Sequence, residues 1–381
     1  MGTEKTGGRL EGREPPTALA DGAGRDALSG DGELRLVPIG ALDLEQGGKL
    51  TGTTIAVQSW GTFTGDNAVL VEHALTGNSD VVGGPRPGRP AGWWADLVGP
   101  GRAVDTGRWF VVATNVLGGC GGSTGPASPD PDDPHAGRYG SSFPELTIRD
   151  QVAAEIAVAD LLGIDRWALV IGGSMGGMRA LEWAVSEPGR VERLVVVAST
   201  AAASADQIGW CATQLAAIRS DPDWQGGDYH GTRRTPASGL ALARQIAHLT
   251  YRSAGELDVR FGRGRQPGRE DLFQVESYLA HHGDKLVGRF DAGSYVTLTE
   301  AMNTHDVGRH RGGVAPALGR VTARSLVIGV DTDRLYPTSQ QRGIAELVPG
   351  ARYAEIHSDH GHDGFLIEAA SLAAELEPLL G

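Results

Sequence analysis

The sequence predicts an α/β protein whose central sheet is mostly parallel and whose chain is interrupted by a helical insertion. Short apolar runs alternate with helical patterns before residue 200 and again after residue 305, as is typical of parallel strands joined by helices. Between residues 201 and 304 the patterns are helical only. A glycine-flanked serine, Ser174, stands where an apolar strand meets a helix, a junction that often carries catalytic chemistry.

The length and composition indicate one large folded unit with a tail. A chain of 381 residues can bury one large hydrophobic core and carry an inserted subdomain. Its 40% hydrophobic and 21% charged residues are ordinary for a globular protein. Residues 1–33 carry Gly, Glu, Arg and Asp without periodicity, so we expect a disordered tail there. The core is then predicted over residues 34–200 and 305–381.

The individual elements follow from apolar runs and helical spacing. Before the insertion, strands are predicted at residues 53–57, 68–71, 109–114, 167–171 and 194–198, and a helix at 148–162. After it, strands are predicted at 325–329 and 352–356, and a final helix at 371–380. Within the insertion, helical patterns cover 205–218, 238–251, 271–282 and 294–302, and a polar, Gly- and Arg-rich stretch covers 255–268. We expect residues 201–304 to form a helical lid over the core.

Charge and cysteine content restrict the partners and the compartment. A formal net charge of −13 argues against a nucleic-acid or anionic membrane surface, which needs clustered Lys and Arg. No apolar run approaches the ~20 residues of a membrane span, and the N-terminus lacks the apolar core of a signal peptide. Two cysteines cannot build a disulfide framework, which favours a reducing compartment. We therefore expect a cytoplasmic protein with no nucleic-acid or membrane partner.

The strongest local signal is the pattern G-x-S-x-G at residues 172–176. It follows the apolar run 167–171 and precedes a helical pattern that ends at Pro188. A side chain at so tight a corner needs small neighbours, which Gly172 and Gly176 supply. The arrangement predicts that Ser174 is a nucleophile, the alternative being a plain glycine-rich turn.

A serine nucleophile needs a base, and the base needs a carboxylate that orients it. In this architecture the acid and the histidine follow later strands, in that order. The first of these loops offers Asp331 and Asp333, and the second offers His357, His360 and His362. Position favours Asp333, which lies further out from its strand, and His362, which directly precedes the closing apolar segment. The other three are left as candidates that could equally be solvated loop residues.

The tetrahedral intermediate also needs two N–H donors aimed at its oxygen. One is expected from Met175, the residue after the nucleophile. The other is expected from the loop after the strand at residues 68–71, where the N–H of Leu75 or of Thr76 is the candidate. An ordinary strand exit is the alternative interpretation of this loop.

Two further patterns suggest other chemistry and are disfavoured. The glycine-rich segment 118–124 has no Lys before its Ser-Thr pair and is followed by prolines, so it is neither a Walker A loop nor a dinucleotide fingerprint. Its Cys120 is a possible thiol nucleophile, but nothing places that thiol at a helix N-terminus beside a base. The three histidines of residues 357–362, with Asp359 and Asp363, resemble a zinc-binding cluster, yet such grouping also arises when one histidine is catalytic. We expect no metal.

Several longer stretches make the chain resemble a known family. They read HALTGNSDV (73–81), NVLGGCGGSTGPASPDP (115–131), FPELTIRDQV (143–152), VIGGSMGGMRALEWA (170–184), LARQIAHLTYRS (242–253), VESYLAHHGDKLVGRFDAGSYVTLTEAMNTHD (275–306), DTDRLYP (331–337) and GHDGFL (361–366). From about residue 50 to the C-terminus, the sequence resembles the homoserine O-acetyltransferases. These are enzymes of the α/β-hydrolase fold that begin methionine synthesis by direct acylation of homoserine. Thr332 and Gly293 replace residues that would more often be Ser and Asn.

The resemblance implies a role for five residues. The nucleophile corresponds to Ser174, the acid to Asp333 and the base to His362, in agreement with the positional interpretation. The substrate-binding arginine corresponds to Arg244 and the substrate-binding aspartate to Asp363. Homoserine is a zwitterion, so a cation for its carboxylate and an anion for its ammonium are chemically appropriate.

The resemblance also implies the reaction. Acetyl-CoA would serve as co-substrate in a ping-pong transfer to L-homoserine, with no tightly bound cofactor and with the lid keeping water from the acyl-enzyme. It further implies a homodimer formed through the lid. The rivals are a succinyl donor or another hydroxylated acceptor, an esterase that uses water, and a non-catalytic small-molecule receptor on the same fold. A receptor need not keep all three triad residues.

Overall fold

The computed structural model describes residues 17–18, 30–83, 91–133 and 137–381, and a nine-stranded sheet forms its centre. The strands in chain order are β1 Thr17–Ala18, β2 Arg35–Asp43, β3 Lys49–Trp60, β4 Ala68–Glu72, β5 Val98–Gly99, β6 Val104–Asp105, β7 Phe110–Thr114, β8 Leu169–Gly173, β9 Arg193–Val197, β10 Arg265–Gln266, β11 Arg269–Phe273, β12 Arg324–Val330 and β13 Arg352–Ile356. The α-helices are α1 Ile148–Leu161, α2 Met175–Ser186, α3 Ala205–Arg219, α4 Ala237–Tyr251, α5 Ala254–Phe261, α6 Gln274–Val287, α7 Ala292–Asn303, α8 Val314–Leu318, α9 Thr338–Leu347, α10 Gly364–Ile367 and α11 Ala369–Leu380.

The sheet runs in the order β1-β2-β3-β7-β4-β8-β9-β12-β13. Strand β3 pairs antiparallel with both β2 and β7, whereas every neighbouring pair from β7 to β13 is parallel. The predicted α/β class with a mostly parallel sheet is therefore confirmed. Parallel pairing places the carboxyl ends of β4, β8, β12 and β13 at one edge, where the loops that follow them can meet.

The central strands are apolar because both faces of the sheet are covered. In β4, Ala68 and Leu70 pack into the core cluster formed with α1, α2 and α9. Val69 and Val71 point the other way and pack into the cluster formed with α11 and with the segment around Trp94. Each fully buried aliphatic side chain of this kind contributes about 1.5–3 kcal/mol of hydrophobic stabilisation.

Two strands and the N-terminal segment differ from the sequence predictions. The strand expected at residues 167–171 is observed two residues later, at β8, and Trp167 makes only an isolated bridge with Val191. Strand β2 was not predicted, because only two of its nine residues are buried. The expected tail lies mostly outside the described residues. Its end is ordered, however, since the N–H of Gly32 donates to the carbonyl of Ser59 at 2.8 Å.

The inserted lid lies between β9 and β12 and contains α3 to α7. The expectation that it would contain no strands was wrong, because β10 and β11 form a two-stranded antiparallel ribbon within it. Gly268, with φ of 76°, lies in the ribbon's turn, and the strands are polar and exposed, so no apolar alternation signals them. Helix α6 consequently begins at Gln274, three residues after the predicted start. None of the helices in the described ranges is long and apolar enough to cross a membrane.

Candidate active site

The site is built on the sharp turn between β8 and α2. Ser174 occupies that turn with φ of 57° and ψ of −125°, a backbone conformation that costs an L-residue of order 1–3 kcal/mol. A Cβ on Gly172 would lie 2.2 Å from the carbonyl oxygen of Gly176, and a Cβ on Gly176 would lie 2.1 Å from that of Glu72. Only glycine fits at both positions, which explains the G-x-S-x-G pattern in steric terms.

Hydrogen bonds from the next strand hold the strained turn in place. The N–H of Ser174 donates to the carbonyl of Val197 at 3.0 Å, and the hydroxyl of Ser199 donates to the carbonyl of Ser174 at 2.7 Å. A Cβ on Gly177 would lie 2.5 Å from that of Ser199, so helix α2 begins in direct contact with the end of β9. The nucleophile candidate therefore stands on a rigid support.

The structure brings His362 and Asp333 to this serine. Nε2 of His362 lies 2.9 Å from Oγ of Ser174, and Nδ1 lies 2.6 Å from Oδ2 of Asp333. All three residues are buried, with relative exposures of 6% for the serine, 3% for the histidine and 5% for the aspartate. The carboxylate accepts a hydrogen bond from the Nδ1–H, and the tautomer with its proton on Nδ1 leaves Nε2 able to accept the serine proton.

Asp333 is oriented by the backbone that follows it. Its Oδ1 accepts hydrogen bonds from the N–H groups of Leu335 at 2.8 Å and Tyr336 at 2.9 Å. Its other oxygen is thereby directed at the imidazole. Both carboxylate oxygens act as acceptors, so the arrangement suits an ionised group that fixes a histidine tautomer.

The competing acidic and histidine residues lie elsewhere. Asp331 accepts a hydrogen bond from Nδ1 of the exposed His357 at 2.5 Å, and this bond raises the pKa of His357. His360 faces the lid, with Nδ1 3.5 Å from a carboxylate oxygen of Glu256. The three histidines of residues 357–362 thus have three different partners. Among the residues that the structure describes, no group of three or more His, Cys, Asp or Glu side chains could hold a metal ion.

Aromatic rings enclose the imidazole. The ring of His362 lies 5.0 Å from that of Tyr336, 5.3 Å from that of Phe365 and 5.7 Å from that of Tyr251, measured between centroids. Tyr251 is the last residue of α4, so the lid contributes directly to this enclosure. A Cβ on Gly361 would lie 2.9 Å from the carbonyl oxygen of Tyr251, which shows how closely the histidine loop approaches the lid.

The two expected oxyanion donors lie at one corner of the site. Met175 is the first residue of α2, where a helix has no internal acceptor for the N–H. Leu75 lies in the turn that follows β4, and Gly176 packs against the end of β4 with a Cβ position 3.1 Å from the carbonyl oxygen of His73. Over the described ranges, neither the Leu75 nor the Met175 N–H has a protein acceptor. Both groups are thus free to donate to a ligand oxygen.

Thr76, the alternative oxyanion residue, lies between two arginines. Arg244 on α4 directs Nη1 to the Thr76 hydroxyl at 3.4 Å, and Arg289 donates to the Thr76 carbonyl at 2.8 Å. The guanidinium of Arg244 also lies 5.3 Å from the ring centroid of Tyr251. In the part of the chain that the structure describes, the hydrogen bonds of both arginines go to Thr76, and neither arginine forms an ion pair with a carboxylate. Arg244 is therefore available to bind an anionic ligand group.

Asp363 directly follows the base in sequence and has a partner that the sequence analysis missed. Its Oδ2 lies 3.2 Å from Nε of Arg252 on the lid. Burial raises the pKa of Asp363, and the charge of Arg252 opposes that shift. No helical pattern signals this pair, because Arg252 lies one residue beyond the end of α4, in extended backbone.

Cys120 is a weak candidate nucleophile in this environment. The half-buried thiol accepts a hydrogen bond from the N–H of Asp291 at 3.4 Å, and burial raises its pKa to about 11. It lines a cleft beside the oxyanion loop, together with Leu75, Asn78 and Arg289. A thiol with so high a pKa carries little thiolate near neutral pH.

Similarity to known proteins identifies the family of this chain. Residues 67–369 match a family model described as the alpha/beta hydrolase fold. A homoserine O-acetyltransferase from Thermobifida fusca (strain YX) is 56% identical over 96% of this chain and 98% of that protein. One from Nocardia farcinica (strain IFM 10152) is 54% identical over 90% and 91%, and one from Mycobacterium tuberculosis (strain ATCC 25177 / H37Ra) is 52% identical over 93% and 95%.

Solved structures share the fold at lower identity. The homoserine O-acetyltransferase from Bacillus anthracis superposes with a TM-score of 0.85 at 26% identity, over 92% of this chain and 97% of that chain. Esterase E22 superposes with a TM-score of 0.84 at 24% identity, over 92% and 100%. At that level of identity, the likeness to the esterase concerns the fold alone.

Proposed function

The chain belongs to the homoserine O-acetyltransferase family of the α/β-hydrolase fold, and from this premise we propose that it transfers an acetyl group from acetyl-CoA to the hydroxyl of L-homoserine. The reaction is the first step of methionine synthesis by direct acylation. The observation that carries the proposal is the continuous set of hydrogen bonds from Asp333 through His362 to Ser174. Such a set makes a serine hydroxyl nucleophilic.

The first half-reaction forms an acetyl-enzyme. Nε2 of His362 takes the proton of Ser174 as Oγ attacks the thioester carbonyl, and the N–H groups of Leu75 and Met175 stabilise the oxygen that becomes negative. Asp333 stabilises the imidazolium that forms. The carbon–sulfur bond then breaks, the CoA thiolate leaves with the proton from Nε2, and acetyl-Ser174 is left.

The second half-reaction reverses these roles with a different nucleophile. Nε2 of His362 takes the proton of the homoserine hydroxyl, whose oxygen attacks the acetyl carbonyl through the same oxyanion contacts. The bond to Oγ of Ser174 breaks, and the serine recovers its proton from the imidazolium. O-acetylhomoserine leaves. The enclosure of the base by Tyr251, Tyr336 and Phe365 supports transfer over hydrolysis, because it restricts water around the acetyl-enzyme.

Two charged side chains support homoserine as the acceptor. Arg244 offers a guanidinium without a carboxylate partner in the described structure, which suits bidentate binding of the substrate carboxylate. Asp363 adjoins the base and offers a carboxylate for the substrate ammonium, with Arg252 favouring its ionised form. An esterase that uses water needs neither group, and the relatives at 52–56% identity are acetyltransferases.

Following CoA release with and without the acceptor tests the proposal. With acetyl-CoA alone, the protein should release about one equivalent of CoA per site in a burst and then turn over slowly. Addition of L-homoserine should give steady turnover and one O-acetylhomoserine per CoA. Succinyl-CoA in place of acetyl-CoA should give much slower release. Steady CoA release that is independent of homoserine would instead identify a thioesterase.

We also propose that the enzyme is a homodimer formed through the lid and acts in the cytoplasm. Helix α4 supports the dimer, because Leu242 and Leu249 are exposed on it seven residues apart, at 49% and 36% exposure. Sedimentation velocity should report a dimer for the wild type and a monomer for a variant with both leucines changed to Glu. The reducing compartment is supported by two free cysteines.

A further inference from the structure

His73 is the first residue after β4, and its ring makes two hydrogen bonds that fix its tautomer. The N–H of Val116 donates to Nε2 at 3.1 Å, so Nε2 presents a lone pair. A neutral imidazole has one donor and one acceptor, so the proton is on Nδ1. Nδ1 lies 2.8 Å from the carbonyl oxygen of Ala74 and donates to it.

The Ala74 carbonyl receives a second hydrogen bond from the turn itself. The N–H of Gly77 donates to it at 2.8 Å, which closes a tight turn over residues 74–77. A Cβ on Gly77 would lie 2.8 Å from that of His73, so the turn packs directly against the histidine. Because a trans peptide is planar, the Leu75 N–H points away from the Ala74 carbonyl that these two donors hold.

The imidazole stays neutral in this position. Burial, together with the charge of Arg179, lowers the pKa of His73 to about 3. The side chain is 2% exposed, and Arg179 also donates to the His73 carbonyl at 3.1 Å. The single Nδ1 donor is therefore present over the whole pH range in which a serine enzyme with a histidine base can work.

We propose that His73 is a positioning residue for the oxyanion hole, because its Nδ1–H holds the Ala74–Leu75 peptide so that the Leu75 N–H points at the oxygen of the tetrahedral intermediate. The inference rests on the proposed function in one respect, namely that Ser174 forms such an intermediate. His73 itself does not contact the substrate. Its effect reaches the reacting atoms only through the backbone of Leu75.

Two substitutions separate the two ring contacts. In His73→Asn the side-chain amide lies near the former Nδ1 and can still donate to the Ala74 carbonyl. In His73→Gln the amide reaches the former Nε2 near Val116 and leaves that carbonyl without its side-chain donor. We expect His73→Gln to lower kcat roughly 10- to 100-fold for both half-reactions and for p-nitrophenyl acetate hydrolysis, less than deletion of a donor. His73→Asn should stay within about fivefold of the wild type, and KM for homoserine should not change.

A tetrahedral mimic gives a readout that a purely structural role would not move. Ethaneboronic acid forms a tetrahedral adduct on the serine and places one oxygen in the oxyanion hole. For His73→Gln, its inhibition constant should rise by the factor by which kcat/KM falls. His305→Gln is the matched control, since His305 is also buried at 4% exposure and lies 3.2 Å from the Thr200 carbonyl. The control should lower Tm without changing boronate affinity.

The outcomes distinguish this inference from the proposed function. Equal losses in His73→Asn and His73→Gln with unchanged boronate affinity would overturn it, as would full activity in His73→Gln. If neither variant folds, Gly77→Ala keeps His73 but displaces its ring, and normal boronate affinity there would also overturn it. If the wild type fails to acetylate homoserine, the proposed function fails, while ester hydrolysis and boronate binding still decide the role of His73.

Discussion

Asp333 and His362 are joined by a hydrogen bond of 2.6 Å that is buried from solvent, whereas the similar contact of Asp331 with His357 is exposed. The two aspartates lie two residues apart in one loop, but each contacts a different histidine. Only the histidine of the buried pair also forms a hydrogen bond with Ser174. The contrast makes the assignment of the acid directly testable.

Asp333→Asn should lower kcat on the order of 10³- to 10⁴-fold, because an amide cannot favour the Nδ1–H tautomer or stabilise the imidazolium. Asp331→Asn should change kcat by less than about twofold, since the contacts of Asp331 with His357 and with the Ser358 N–H do not reach Ser174. Steady-state kinetics of both variants, with circular dichroism to confirm folding, provides the measurement. A large loss in Asp331→Asn with little effect of Asp333→Asn would reassign the acid.

Arg244→Ala should separate the two half-reactions. Loss of a charge-assisted hydrogen bond should raise KM for homoserine, by an amount equivalent to about 1.5–3 kcal/mol. The CoA burst and p-nitrophenyl acetate hydrolysis do not involve homoserine, so both should survive. Asp363→Asn should show the same split, less cleanly because it adjoins His362. Equal loss in both half-reactions would mean that Arg244 supports the structure or contacts CoA.

Arg252→Gln should change the pH dependence of homoserine use. Burial raises the pKa of Asp363 and Arg252 opposes that shift, so removing the arginine should raise this pKa further. At a given pH, less of the carboxylate is then ionised to bind the ammonium. The acid limb of kcat/KM for homoserine should move to higher pH.

Arg260→Gln is the control for that experiment. Arg260 lies on the same helix, α5, as its partner Glu256, at 3.6 Å, and has no contact with Asp363. In Arg260→Gln, the acid limb of kcat/KM for homoserine should coincide with that of the wild type. An unshifted limb in Arg252→Gln would show that the ionisation of Asp363 does not govern acceptor binding.

Glu72→Gln should alter the pH dependence of stability. Burial raises the pKa of Glu72 well above its usual range, so the folded state binds a proton that the unfolded state releases. Linkage then requires wild-type stability to fall as pH rises from about 4.3, the unfolded glutamate value, towards the folded pKa. Gln has no ionisable proton at this position, so the stability of the variant should not show this decrease with pH. Urea unfolding at several pH values should show its free energy of unfolding rising relative to that of the wild type, whereas the exposed Glu346→Gln should show no such trend.

The turn that carries Ser174, between β8 and α2, could be predicted from sequence because its geometry depends on neighbouring residues. The backbone on either side of Ser174 is packed so closely that only glycine fits at both flanking positions. The strand before it is buried in a parallel sheet and must be apolar on both faces. The choice between Asp331 and Asp333 could be argued only from position and resemblance. The structure settles the choice through the N–H groups of Leu335 and Tyr336, which donate to Asp333 and orient its carboxylate towards His362.

Features set by polar residues could not be predicted. The ribbon β10–β11 has no apolar alternation, so nothing distinguishes its strands from a loop. The pairing of Arg252 with Asp363 joins residues that only the docking of the lid on the core brings together. The same holds for the contact of Val116 with His73, which links the loops after two neighbouring strands.

Mass spectrometry of the quenched enzyme shows whether Ser174 carries the acetyl group between the two substrates. After mixing with acetyl-CoA alone, we expect one acetyl group on the peptide that contains Ser174. Once L-homoserine is added, this group should be lost with matching formation of O-acetylhomoserine. Ser174→Ala should show neither the label nor turnover, whereas Cys120→Ser should show both. Acetylation of Cys120, or turnover in Ser174→Ala, would mean that Ser174 does not carry the acetyl group.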